Sequence, residues 1–361
     1  MLLMPAKAQQ TEPQPYAQEP TAELWDLYGA ELRCYYNQLT DTEKRLFSAR
    51  YDALATGDGD LWNYRIGDYG TLERARVNAV LCNDCPELMF YGTQFGGSYS
   101  LVQKPGDAYF GDNPEKLARQ NEACGLIAQQ VLSEPMTSYE AELAIDRYIK
   151  LNCDYDNSAD WIVSEEGHTA YSALALGSAN CVGYTMGAMY LLRAAGIPCL
   201  AVYGHVGAYA NGNNGHMWLM VEINECWYHY DPTWDDWGSA DYVEDFYPYL
   251  NLSTEEIGAR SYRQAHDQYQ FVLPEALSMA DNYYECSGKI LGEEWPTDMI
   301  RLVKSAHASG ESAIGMRFAD PEAYKGFVQN IKEGNCFPLN TLSFYIRFVT
   351  DDYSKFVYLW W

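Results

Sequence analysis

Basic side chains are scarce in this chain: 24 Lys and Arg stand against 50 Asp and Glu, a formal charge of −26 over 361 residues. A nucleic-acid binder needs a cationic footprint to displace phosphate counterions, so no nucleic-acid partner is expected. Long apolar runs are missing too. A bilayer span takes about 20 consecutive apolar residues, so no transmembrane segment is expected from this sequence. Cys82 and Cys85 form a CxxC with no second pair or matching histidines. Half a zinc site is not a site, and neither a metal nor a cofactor is expected. Repeats at solenoid spacing are also lacking.

What remains is the composition of a packed globular protein, 48% hydrophobic and 20% charged. At about 100–200 residues per domain the length suits two or three domains. The acidity favours solubility and is compatible with a basic or peptide partner. A chain of this size needs no disulfide staples, so the ten cysteines are expected to be mostly reduced and buried, with a bridge or two. The start, "MLLMPAKAQQTEPQPYAQEP", joins a short apolar stretch to Ala6-Lys7-Ala8, a small-x-small pattern, and then a polar Gln- and Pro-rich tail. Residues 1–20 read as the remnant of an export signal or as a disordered tail. The balance tilts toward an exported protein, extracellular or at the cell surface, with a cytoplasmic one left open.

Residues 21–134 are mainly helical. Two amphipathic helices are expected over 21–56, the second capped by Thr40 or Asp41. Another covers Thr71 to Asn83, and "GSYSLVQK" suggests a short strand or hairpin. A further helix follows, capped at Asn113 with Pro114 in its first turn. From 135 to 273 the texture becomes α+β. A helix capped by Ser138, with Glu142 near a capping-box position, precedes one that starts at Cys181 and closes at Gly196 and Pro198. The β-rich segments "PCLAVYGHV", "GHMWLMVEI" and "CWYHYDPTW" come next, the last two joined by a tight turn at Asn224-Glu225. Residues 274–361 read as a small separate α+β unit. Its expected strands are "YYECSGKIL", "SAIGMRFA", "TLSFYIRFV" and "KFVYLWW", with helices over 297–308 and 320–332.

Thiol catalysis needs a thiolate, a proton carrier within hydrogen-bond reach and a group that holds the carrier. Cys181 sits where a small-residue turn enters a helix, and free amides and the helix dipole favour a thiolate there. His216 opens a strand after a Gly- and Asn-rich loop, and Asp231 ends the next strand directly before Pro232. Cross-strand neighbours lie about 4.5–5.5 Å apart, so the imidazole and carboxylate are expected side by side. Taken singly, a helical cysteine is usually a packing residue and Asp-Pro a common turn.

The wider pattern is more specific. It runs Cys181, Gly183-Tyr184, Gly196-Ile197-Pro198, Gly215-His216, Trp218, Trp227-Tyr228, Asp231, Thr233-Trp234-Asp235. In order, spacing and flanking aromatics it resembles the transglutaminase-like superfamily over roughly residues 135 to 270. The "DCPEL" stretch at Asp84 is similar to one in a bacterial, often exported, branch. Val182 stands where that family often has an acidic residue, and Cys226 where a turn glycine is usual.

The resemblance implies an α+β papain-like core with the cysteine helix packed on an antiparallel sheet. Its nucleophile, base and orienting acid fall on Cys181, His216 and Asp231. The expected enzyme acts on amide bonds of a protein or peptide substrate through an acyl-enzyme, with hydrolysis favoured over crosslinking. The rival is a silent binding or scaffolding protein that keeps the fold. Tyr171 or Trp161 is the candidate for a second oxyanion donor beside the Cys181 amide. Tyr184, Trp218 and Trp234 are candidates to line the cleft, with core packing the competing role.

Overall fold

A computed structural model describes residues 30–58, 61, 66–88, 93–95, 98–100, 114–156, 167–207, 215–236, 246–264 and 269–361. The N-terminal tail, the Asn113 cap and Trp161 lie outside them. Helix α1 (Asp41–Thr56) starts at Thr40, whose hydroxyl accepts from the Glu43 amide while the Glu43 carboxylate accepts from the Thr40 amide. That reciprocal box satisfies two donors the first turn leaves bare. The helix expected before it is replaced, in the described part, by two 3-10 turns, Ala30–Leu32 and Tyr36–Gln38. Tertiary bonds win there. The Tyr35 and Tyr36 amides both donate to Asp84 Oδ2 at 2.9 Å, which a continuous helix would forbid.

Helix α2 (Thr71–Asp84) packs on α1. A short hairpin, β1 (Thr93–Phe95) and β2 (Ser98–Ser100), precedes α3 (Pro114–Val131). Helix α4 (Ser138–Asn152) is capped by Thr137 and Glu140, not by Ser138 and Glu142. The box lies one residue earlier, and the Glu142 side chain turns into the core instead. Strand β3 (Asp154–Tyr155) pairs in parallel with β4 (Ser178–Ala179), which runs into α5 (Cys181–Ala194). Most of α5 is buried on every side, the mark of a central core helix.

Four strands form the main sheet: β5 (Cys199–Val206), β6 (Gly215–Ile223) and β7 (Cys226–Tyr230), then, after helices α6 (Pro232–Asp235) and α7 (Thr254–Ala259), the edge strand β8 (Tyr262–Gln264). Their order is β7-β6-β5-β8, antiparallel throughout. Asn224 and Glu225 both take positive φ, 50° and 66°, the backbone a two-residue hairpin turn needs. Period-two alternation splits β6 between two cores. Met217, Leu219, Val221 and Ile223 face the cluster around α5, while Trp218 and Met220 join α1 and α2. The first helices and the sheet therefore share one core.

The "DCPEL" stretch is the hub of that junction. Asp84 Oδ1 accepts from Arg193 Nη2, and Glu87 Oε1 from Arg33 Nη2, both at 2.6 Å, with all four side chains fully enclosed. Tyr51 donates to Glu87 Oε1 at 3.0 Å, and Asn121 to the Glu87 carbonyl at 2.8 Å. Helices α1, α2, α3 and α5 thus meet at Asp84 and Glu87.

The C-terminal residues form a second four-stranded sheet. "YYECSGKIL" is not one strand but helix α8 (Tyr283–Cys286), capped by Asn282, then the short β9 (Ile290–Leu291). Helix α9 (Trp295–Ser309), β10 (Ala313–Phe318) and α10 (Pro321–Lys332, capped by Asp320) follow. Strand β11 (Arg347–Asp351) starts later than "TLSFYIRFV" suggests, after a 3-10 turn over Leu339–Thr341 and an irregular stretch over 342–346, and β12 (Phe356–Trp360) closes the sheet. One of its faces has its own core around Met316 and Phe327, and on the other Phe356 and Tyr358 pack against Phe246. All ten cysteines are free, so the expected bridges are absent. No helix among the described residues is long and apolar enough to cross a membrane.

Candidate active site

The first turn of α5 is built to expose one amide. Asn180 caps the helix, its Oδ1 accepting from Val182 N at 3.0 Å and Gly183 N at 3.3 Å. The Cys181 N–H is left to other acceptors. A Cβ on Gly183 would meet the Gly167 carbonyl oxygen at 2.5 Å, so only glycine lets that segment pass against the turn. The Asn180 amide donates to the same carbonyl at 2.8 Å. One turn on, the Thr185 hydroxyl donates to the Met217 carbonyl at 3.0 Å. This ties the cysteine helix to the residue next to His216.

His216 Nε2 lies 2.6 Å from Asp231 Oδ2, and the Cys181 thiol is near enough to act on the same ring. The three side chains therefore meet, with the imidazole between sulfur and carboxylate. Burial lowers the imidazole's proton affinity, but the Asp231 charge and hydrogen bond, with Cys181, outweigh it and push the pKa up to about 10. An imidazolium beside a thiol favours thiolate. The contact is not the side-by-side cross-strand pair expected. Leu219 pairs with Tyr230, so Asp231, one step further, stands opposite Trp218 and reaches His216 diagonally. Diagonal neighbours are still within range of long side chains.

Asp231 is held from four directions. Oδ1 accepts from the Thr233 and Trp234 amides at 3.0 and 3.2 Å, so the carboxylate also caps α6. Oδ2 accepts from His216 and, at 2.5 Å, from the Tyr262 hydroxyl. Burial and the Asp231 charge raise the Tyr262 phenol well above its usual pKa, which keeps it a donor. The Tyr262 ring stands edge-on to His216 at 5.9 Å and to Trp218 at 5.2 Å. Tyr262 escapes a sequence reading because its strand has three residues, too few to show alternation.

A second buried chain lies behind. Trp218 stacks on His216 and donates from Nε1 to His229 Nδ1 at 3.1 Å, and His229 Nε2 lies 3.2 Å from Thr254 Oγ1. Burial lowers the His229 pKa to about 4, so it is neutral. With Nδ1 accepting, its proton sits on Nε2 and points at Thr254. Gly204, the register partner of His216, leaves the room this needs: a Cβ there would come within 2.7 Å of the Trp218 ring.

The other candidates separate. Tyr184 and Trp218 are buried and do not line an open cleft; Tyr184 spends its hydroxyl on Asp236 and the Cys153 carbonyl. Trp234 is 38% exposed and remains available to a ligand. Tyr171 packs half-buried against the α5 core, whereas Tyr155 lies on the strand paired beside Ala179, two residues before Cys181. Among the described residues no group of three His, Cys, Asp or Glu is placed to hold a metal.

Residues 126–232 match the family model of the transglutaminase-like superfamily. No curated protein matches the chain. Among solved structures, a candidate cysteine protease from Cytophaga hutchinsonii aligns at 20% identity with a TM-score of 0.26, over 32% of this chain and 37% of that one. A TGase aligns at 18% identity with a TM-score of 0.27, over 33% of this chain and 32% of the other. The chain thus spans about a third of the length of each.

Proposed function

We propose that the chain, whose residues 126–232 match the transglutaminase-like superfamily model, is a thiol enzyme cleaving amide bonds of a protein or peptide, with Cys181, His216 and Asp231 as its triad. The single observation that carries this reading is the imidazole bonded to a buried carboxylate and acted on by the thiol at a helix start.

The roles follow from the geometry. Cys181 sulfur attacks the carbonyl carbon, and the carbonyl electron pair moves to oxygen, where the Cys181 N–H is the donor at hand. His216 gives its proton to the leaving nitrogen as the carbon–nitrogen bond breaks, leaving a thioester on Cys181. Neutral His216 then takes a proton from water as its oxygen attacks, and returns it to sulfur when the acid product leaves. Asp231 keeps the Nε2 proton in place throughout, with Tyr262 and the α6 amides fixing the carboxylate. An amine in place of water would give transamidation by the same steps. Water needs no acceptor site and is in vast excess, so hydrolysis is the favoured outcome.

The test is mass spectrometric. Incubation with a glutamine-containing protein and a labelled amine is expected to yield new chain termini or glutamate in place of glutamine. Dominant label incorporation would reassign the enzyme as a transferase. An unchanged substrate would speak for the scaffolding alternative.

A further inference from the structure

Asp231 stands one residue beyond the β6–β7 ladder, whose last pair is Leu219 and Tyr230. Ladder bonds therefore do not set the angle from which its carboxylate reaches His216. Another set of bonds does. The Asp231 N–H donates to the Tyr249 carbonyl at 3.1 Å, the Tyr249 N–H to Asp235 Oδ1 at 2.5 Å, and the Asp235 N–H back to the Asp231 carbonyl at 3.0 Å. These bonds close a ring that holds both backbone groups of Asp231, and a single side chain, Asp235, completes it. The Tyr249 arm of the ring is itself fixed. His229 and Leu252 exchange amide bonds at 2.8 and 2.9 Å, and the Arg260 guanidinium lies 4.8 Å over the Tyr249 ring.

The charge state of Asp235 follows from its surroundings. Its side chain is fully buried, and Oδ2 has no hydrogen-bond partner among the described residues. Asp146 and Lys150 of α4 face it, as do Tyr230 and Asp231 at the end of β7. Lys150 is spent on Asp146 and on the Phe246 carbonyl, at 2.5 Å each. Burial and then the Asp146 charge push the Asp235 pKa well above the usual carboxylate range. An ionised oxygen left unpartnered there is costly, whereas a proton on Oδ2 removes the charge and leaves Oδ1 to accept from Tyr249. Two carboxyls four residues apart thus take opposite forms, Asp231 ionised and Asp235 a neutral acid.

We propose that Asp235 is a positioning residue for Asp231, fixing through the Tyr249 amide the angle at which the Asp231 carboxylate meets His216. This rests on the thiol-enzyme reading above. Asp235 touches neither the imidazole nor a substrate. Its contribution is to hold in one orientation a carboxylate whose reach to His216 is diagonal and tolerates little drift.

Two readouts on the full chain test this: the His216 titration followed by NMR of the histidine rings, assigned by its loss in His216→Ala, and turnover of casein. Asp235→Ala removes the acceptor, so the Asp231 carboxylate drifts and holds the imidazolium less firmly. The His216 pKa, about 10 in wild type, is expected to fall by about half to one unit, the worth of one hydrogen bond. The kcat is expected to fall about three- to tenfold at unchanged KM. Asp235→Asn keeps an acceptor at Oδ1 and carries no charge, so it should match wild type in both readouts. An unmoved His216 titration in Asp235→Ala would overturn the proposal and leave Asp235 a packing group. A fall in Asp235→Asn equal to that in Asp235→Ala would also overturn it, because an ionised Asp235 would then be required. Asp235→Ser stands in if the alanine variant does not fold; if neither folds, Asp235 is a structural cap and the proposal falls. A wild type that turns over no casein would sink the thiol-enzyme reading and the proposal with it, and the titration, which needs no substrate, tells that failure from a failure of the ring.

Discussion

At its C-terminal end helix α5 carries Arg193, enclosed against an equally enclosed Asp84. At its N-terminal end it carries Cys181, beside an imidazole that bridges it to Asp231. Both ends bury charge in a hydrogen-bonded cluster, but the clusters differ in what they leave free. Around Asp84 both oxygens are taken, Oδ1 by Arg193 and Oδ2 by the Tyr35 and Tyr36 amides. No member there can change partner without stranding a charge. Around Asp231 the carboxylate is just as fully bonded, yet the imidazole it holds faces the Cys181 sulfur at the start of the helix. One end anchors the helix; the other holds the proposed nucleophile on a rigid support, as a preorganised site requires.

The largest effect is expected at the anchoring end. Arg193→Met strands the Asp84 carboxylate, and removing one partner of a buried pair costs about 3–5 kcal/mol. Chemical denaturation should show that loss, while folded protein keeps its turnover per active site. An equal fall in turnover would break the distinction between the two ends.

A third buried carboxylate sharpens the contrast, since it has no cation bonded to it. Glu142 accepts from Asn251 at 2.6 Å, and its other oxygen is unpartnered. Burial raises its pKa from 4.5 to about 8. The folded state thus holds a proton the unfolded state gives up. The resulting stability is complete below pH 4.5 and is lost as pH rises through about 8. Glu142→Gln, permanently neutral, should be more stable than wild type at pH 9 by on the order of 2 kcal/mol, with little difference at pH 5. Melting curves at the two pH values check this; an equal shift at both would contradict it.

A smaller effect is expected at the reactive end. Tyr262→Phe removes one donor from Asp231 and leaves three. It should lower kcat/KM about three- to tenfold, the worth of one hydrogen bond, and move the pH profile, because a less stabilised carboxylate holds the His216 proton more firmly. An unmoved profile would reduce Tyr262 to a packing residue.

Much of this was legible in the sequence. The cysteine helix, strands β5 to β7 with their turn, and the positions of Cys181, His216 and Asp231 all follow from periodicity, turn residues and the family pattern. Three features did not. The diagonal reach from Asp231 to His216 depends on a strand register that spacing alone leaves open. Tyr262 sits on a strand of three residues, where no alternation can develop. Arg33 and Tyr35 read as helix formers, but long-range bonds to Asp84 and Glu87 outweigh local propensity.

The most direct measurement is the alkylation rate of each cysteine against pH, in wild type and in His216→Ala. The imidazolium persists up to about pH 10, so wild-type Cys181 should react at pH 6 about tenfold or more faster than the nine other thiols, as an activated cysteine does. That advantage should vanish in the variant. Uniformly slow reaction of all ten cysteines in wild type, or an advantage that survives loss of the imidazole, would contradict the account.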